Sequence, residues 1–141
     1  MLGLVADRLK ATAMPPFSAV AGGEDLAALA EGTAPADLTA FVVPFKQEAE
    51  PDERMTGPRL QRVRIWFLVA VCIRRYGDAK GGSRITATDD VDRALEIALL
   101  GWAPSADNDP ISLIGARSQP GKNGVLWHVS TWETARMAEG S

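Results

Sequence analysis

Along the first stretch of the chain Leu2, Val5, Ala6, Leu9 and Ala13 recur at helical spacing, while Asp7, Arg8 and Lys10 fall mostly off that stripe. The period predicts an amphipathic helix with one face for a core, ended by Pro15 and Pro16, which cannot continue its hydrogen-bond ladder. Phe17–Val20 is a candidate short strand. After Gly22 and Gly23, the run Glu24–Ala30 begins with two acids and is followed by Gly32, the charge and stop signals of a short helix. Thr39–Phe45 reads as a strand, because Phe41, Val42 and Val43 suit a pleated surface, and Pro44 places it at an edge or a strand end.

Gln61–Arg74 carries the strongest strand signal. Val63, Ile65, Phe67, Val69, Val71 and Ile73 alternate onto one face, and Trp66, Leu68, Ala70 and Cys72 onto the other, with Arg62, Arg64 and Arg74 near the ends. A strand apolar on both faces at its centre belongs in the middle of a sheet. One side is expected under helices, and much of the other under a helix or a neighbouring subunit. The preceding Lys46–Pro58 is different in kind: it holds Glu48, Glu50, Asp52 and Glu53 with two prolines and one glycine. Too little apolar area is present to order it, so a mobile loop is expected, and loops of that length usually serve a function.

Tyr76–Arg84, with Gly77, Gly81, Gly82 and Ser83, reads as a connection. Thr88 is expected to cap the next helix, with Asp89, Asp90 and Asp92 in its electropositive first turn. Val91, Ala94, Leu95, Ala98 and Leu99 repeat at helical spacing until Gly101 and Pro104 stop the helix. Ile111–Arg117 is a strand, and Gln119–Gly124 a hairpin turn through Pro120, Gly121, Asn123 and Gly124. The return strand alternates Val125, Trp127, Val129 and Thr131 with Leu126, His128, Ser130 and Trp132, and frays from about Glu133. This order of elements predicts an α+β fold, with an antiparallel or mixed sheet packed by helices rather than a doubly wound parallel sheet.

Composition narrows the picture. A chain of 141 residues and 15.0 kDa suits a single domain over 1–141, and 46 % hydrophobic with 23 % charged residues suits a folded one. Fifteen basic against 18 acidic side chains leave a net charge of −3, an unfavourable balance for gripping a phosphate backbone. A single cysteine, Cys72, and a single histidine, His128, exclude an internal disulfide and the conventional zinc arrangements. The longest apolar run, Ile65–Ile73, is half the roughly 18 residues that a membrane helix needs. No basic start followed by an apolar core marks an export signal, so an intracellular protein without membrane contact is expected.

Candidate chemistry is sparse. Lys80, Gly81, Gly82 and Ser83 place the lysine before the glycines, the reverse of a phosphate-binding loop. Cys72 and His128 are a conceivable nucleophile and base, but Cys72 sits in the most apolar segment, where an inert buried thiol is the simpler reading. His128 reads as a cross-strand or interface polar residue. Asp89, Asp90 and Asp92 suit a helix start, and Asp107 and Asp109 a polar turn, since a calcium loop would need a following glycine and a distant glutamate. No catalytic, cofactor or metal site is assigned. The clearest concentration of charge is Arg59, Arg62, Arg64, Arg74 and Arg75, facing Glu48, Glu50, Asp52 and Glu53 across Pro58. This invites charge complementarity between neighbouring subunits, with a solvated strand edge as the plainer reading. Of the four tryptophans, Trp102 is expected to close the helix end and Trp66 to lie in the core or an interface. Trp127 and Trp132 lie on opposite faces of one strand, so one of them is a candidate for cover by another chain.

These elements carry a resemblance. Ala40–Pro44, Gln61 leading into the long strand, Leu99 with Leu100-Gly101-Trp102-Ala103-Pro104, and Val125-Leu126-Trp127 in the closing hairpin together resemble the tail terminator proteins of long-tailed bacteriophages and related prophages. The resemblance spans nearly the whole chain, and its sharpest piece marks a helix end rather than a reaction. It implies a small α+β structural protein that forms a ring, usually a homohexamer, on the head-proximal end of a tail tube. Such a ring stops tube polymerisation and offers a docking surface to the head connector, while DNA passes through the lumen. The implied setting is the virion tail, assembled in the cytoplasm of a bacterial host; the implied partners are further copies, the tail tube protein and the head completion protein. No catalytic residues are associated with that family. Another head–tail connector or minor tail protein, a non-phage binding module and an enzyme are the competing readings. The candidate interface comprises Glu48, Glu50, Asp52, Glu53, Arg59, Arg62, Arg64, Trp66, Trp127 and Trp132, with the 46–58 segment placed against the tube or a neighbour.

Overall fold

The computed structural model describes residues 1–25, 35–52, 54, 56–74, 82–121 and 124–140. Within them run helix α1 (Leu2–Thr12), strands β1 (Ala19–Gly22), β2 (Thr39–Ala49) and β3 (Leu60–Arg74), helix α2 (Gly82–Leu99), and strands β4 (Ser112–Pro120) and β5 (Val125–Glu139). The strands form one five-stranded sheet in the order β1-β2-β3-β5-β4. Only β1 and β2 pair in parallel, so the sheet is mixed and the fold is α+β, as the order of elements predicts. Residues 23–25 are helical, and the rest of the predicted short helix, 26–30, lies outside the described residues.

β3 is the central strand, and its alternation is the one expected. Val63, Ile65, Phe67, Val69, Val71 and Ile73 are all 7 % exposed or less. From Phe67 onward this face joins Val5 and Leu9 of α1 and Val91, Leu95 and Leu99 of α2 in one core. Both helices therefore cover the same side, clamped to each other by Arg8, whose Nε donates to the Ala98 carbonyl at 3.0 Å. Burial of each fully enclosed aliphatic side chain contributes about 1.5–3 kcal/mol. Gly101, at φ +79°, ends α2 as predicted; its N–H donates to the Ile111 carbonyl, and Trp102 closes the helix end beneath Arg8.

Several elements differ in extent from the expectation: β1 is Ala19–Gly22 rather than Phe17–Val20, β4 is Ser112–Pro120 rather than Ile111–Arg117, and four further differences shape the sheet. β2 does not stop at Phe45: a bulge between Pro44 and Lys46 restores pairing, and Lys46–Ala49 align with Trp66–Val63 of β3. A bulge tolerates a residue without an N–H, so Pro44 redirects the strand rather than ending it. The connection that follows is also tied down. Glu50 N–H donates to the Arg62 carbonyl at 2.8 Å, and the Asp52 carboxylate accepts from the N–H groups of Leu60 (2.9 Å) and Arg54 (3.0 Å). Helix α2 starts at Gly82, so Thr88 is inside it and Asp89, Asp90 and Asp92 are not in its first turn. Ala87, 4 % exposed, extends the buried stripe one turn before Val91, and this packing outweighs the capping signal. Finally, β5 does not fray at Glu133; it pairs with β3 as far as Leu60 opposite Glu139.

These extensions build a three-stranded tongue from Pro44–Ala49, Leu60–Trp66 and Glu133–Glu139, beyond the part of the sheet that meets the helices. β1 pairs with β2 only as far as Val42, so the β2 edge from Val43 onward has no strand beside it among the described residues.

Candidate assembly surface

The charged groups read as an interface concentrate on the tongue, because Arg62 and Arg64 project from β3 and the acids from β2, β5 and the loops beside them. They neutralise one another inside the chain. Arg62 bridges Glu50 at 3.0 Å and Asp109 at 2.6 Å, and Arg64 Nε donates to Glu133 Oε1 at 2.6 Å. These hydrogen bonds, Asp109 before Glu50 for Arg62 and Glu133 for Arg64, raise both guanidinium pKa values. Arg59 stands 3.8 Å from Asp52. The backbone N–H groups of Leu60 and then Arg54 hold the Asp52 carboxyl below its ordinary value, with lesser help from Arg59. The expected complementarity between subunits is thus largely a complementarity within one. Arg62 and its acids are still about half exposed, and such pairs each contribute about 0–1 kcal/mol. Glu53 lies outside the described residues, as does Arg75; Glu48 is exposed on β2.

The tryptophans divide sharply. Trp132 is 1 % exposed in the core beneath the helices, its indole N–H donating to Ser130 Oγ at 2.8 Å, which removes it from the candidate interface. Trp66 is 8 % exposed on the opposite face, its ring flanked by Lys46 and Arg64, each 4.6 Å from the centroid. Cations with long aliphatic stems thus cover the ring within the chain itself. Trp127 alone of the three stays half-buried, packed 6.0 Å from Phe41 over the small side chains of β3. Val43, Leu68 and Val129 share its helix-free face and are half-buried too.

The exposed apolar side chains lie elsewhere than the sequence reading placed them. Phe45 is 57 % exposed at the bulge, Ile97 67 % and Leu100 52 % on the outer side of α2, and Ile114 53 % on edge strand β4. The available signal was their position off each element's buried stripe. Phe45 also borders a groove of about 380 Å³, bounded by Met1 and by Leu2 at the start of α1, Ile65 and Trp66 of β3, and the cations Lys46 and Arg136.

His128 is 4 % exposed and joins two elements: Nε2 lies 2.6 Å from Asp92 Oδ1 on α2, and Nδ1 lies 2.9 Å from Ser118 Oγ on β4. The serine–histidine–aspartate chain brings a hydroxyl to an imidazole. The small cavity of about 110 Å³ nearby is bordered by Asp92, Glu96 and Trp132 but by neither Ser118 nor His128. The geometry of the serine–histidine–aspartate chain fastens α2 to the sheet edge. Cys72 is buried, and burial raises its thiol pKa, the opposite of an activated nucleophile. Among the described residues no three metal-ligating side chains cluster, and no helix is long and apolar enough to cross a membrane.

Comparison with known proteins bears on what such a surface serves. A comparison with curated proteins found no match. Among solved structures, a chain of the virion of a native gene transfer agent particle is similar in fold, with a TM-score of 0.58 and 16 % sequence identity, over 99 % of this chain and 95 % of that one. The model of the phage tail terminator protein family matches residues 2–139. The chain therefore belongs to the phage tail terminator protein family and is a structural protein of the virion tail.

Proposed function

We propose that this protein caps the head-proximal end of a phage tail tube as a ring of identical subunits, six in number, stopping tube polymerisation and presenting the surface on which the head connector docks. The family match over residues 2–139 carries this reading. The tongue supports it: a three-stranded extension whose β2 edge has no strand beside it among the described residues, with Phe45 exposed, is unsuited to a solitary soluble domain and suited to one that is partnered. A ring needs two non-identical lateral surfaces that close by rotation, and a chain with exposed apolar groups on both its tongue and α2 has two to offer. The net charge of −3 suits a lumen through which DNA slides without being held. Assembly takes place in the bacterial cytoplasm, with the tail tube protein and the head completion protein as partners, and involves neither catalysis nor a cofactor.

Electron microscopy of the purified protein mixed with tail tubes tests the proposal. The expected result is one ring per tube, confined to one end, with six subunits. Decoration along the tube or at both ends would assign the protein another place in the tail, and a monomer that ignores tube ends would reduce it to a simple binding module.

A further inference from the structure

We propose that neighbouring copies meet head to tail, the cationic groove at the β2 bulge of one copy receiving the acidic, apolar outer face of α2 from the next. This rests on the ring reading above and adds which two surfaces touch. The first observation is an imbalance of charge. Arg59, Arg62 and Arg64 each have a carboxylate within 4 Å, whereas Lys46, held over the Trp66 ring, and Arg136, on the other face of the sheet, border the groove from its two sides and have none among the described residues. The second is its mirror image on α2. Asp92 is engaged by His128, but Asp89, Asp90 and Glu96 are exposed, outnumber Arg93, the exposed arginine among them, and have no cation in ion-pair range among the described residues.

Apolar surface accompanies both. Phe45 stands 57 % exposed at the groove, whose floor reaches Trp66. Ile97 follows Glu96 on α2, and Leu100, just past the end of the helix, lies one turn on; they are 67 % and 52 % exposed. The two surfaces are therefore complementary in sign and alike in apolar character. They occupy different parts of one chain, so their contact is heterologous: it repeats from copy to copy and closes only by rotation. Charge of opposite sign sets the register, and desolvation of the aliphatic side chains supplies the attraction.

Reciprocal charge reversal tests the pairing, with rings counted at tube ends and in solution. Lys46→Glu with Arg136→Glu, and separately Asp90→Lys with Glu96→Lys, are each expected to reduce ring-borne subunits at least about tenfold, since like charges across an interface are strongly disfavoured. The combination of all four is expected to restore rings. Circular dichroism establishes that each variant is folded. The inference is overturned if either reversal leaves rings intact, or if the folded fourfold variant fails to recover them. It is also overturned if groove reversal blocks tube attachment while free rings persist, because the groove would then belong to the tube. An independent check joins Lys46→Cys to Ile97→Cys through a short bismaleimide. A covalent ladder up to the full ring supports the pairing, and products that stop at dimers refute it. Native Cys72, 0 % exposed, does not compete. Absence of any wild-type ring would instead remove the ring reading itself.

Discussion

Lys46 stands directly across the β2–β3 pair from Trp66, its ammonium 4.6 Å from the ring centroid, because the bulge after Pro44 takes Phe45 out of register. In an unbroken ladder Phe45 would face Trp66 and Lys46 would turn to the other side of the sheet. One inserted residue thus covers an indole with a cation and leaves a phenyl ring in solvent. Truncation of the indole, Trp66→Ala, is expected to destabilise the chain by about 3–5 kcal/mol, whereas Lys46→Ala costs about 1 kcal/mol or less, both read by urea denaturation. Equal losses would show that the cation is the main cover.

Asp52 organises the turn between β2 and β3. Folding holds its carboxyl below the ordinary value of 3.8, so its stabilisation is fully present above that pH and is lost as pH falls through the depressed folded-state value. Amide exchange at Leu60 is expected to accelerate only below about pH 3.8. At neutral pH, Asp52→Ala is expected to expose the bonds after Arg54 and Arg59 to trypsin while the core strands stay protected.

The Asp92–His128 contact at 2.6 Å satisfies an imidazole that water barely reaches. Asp92→Ala leaves Nε2 without its partner and is expected to cost about 1–3 kcal/mol, measured as a shift of the urea midpoint at constant slope. Adding His128→Leu is expected to recover part of that loss, because the orphaned polar group is then gone. Full additivity of the two changes would refute the coupling.

Gly101 ends α2 at φ +79°, with open space where a Cβ would sit. Gly101→Ala therefore tests backbone strain alone, and about 1–2 kcal/mol of destabilisation is expected from thermal unfolding. A neutral result would mean that the helix end rearranges.

Much of the fold was legible in local pattern. The period of two through Val63–Ile73, the stripe Leu2–Leu9, the return strand from Val125 and the stop at Gly101 each depend on neighbours close in sequence, and each is where it was expected; of the predicted turn Gln119–Gly124, Gln119 and Pro120 belong to β4, and Lys122 and Asn123 lie outside the described residues. The candidate site was less legible. Glu50 and Arg62 were singled out as candidates for contact between subunits, and nothing local says that within one chain they find each other, or that Asp109 joins them from the far side of α2.

The amino-acid sequence alone determined which side chains each element turns inward, because a helix or strand imposes its period on whatever residues it contains. Only the tertiary structure decided how far each element runs and what covers it. Pro44 is passed rather than obeyed because β3 offers a continuous partner beyond it, and β5 stays a strand to Glu139 because β3 runs alongside. Trp132 is core and Trp127 is not because both helices settle on a single side of the sheet. Alternation separates two faces but is symmetric between them; the helices break that symmetry by burying more apolar area on one.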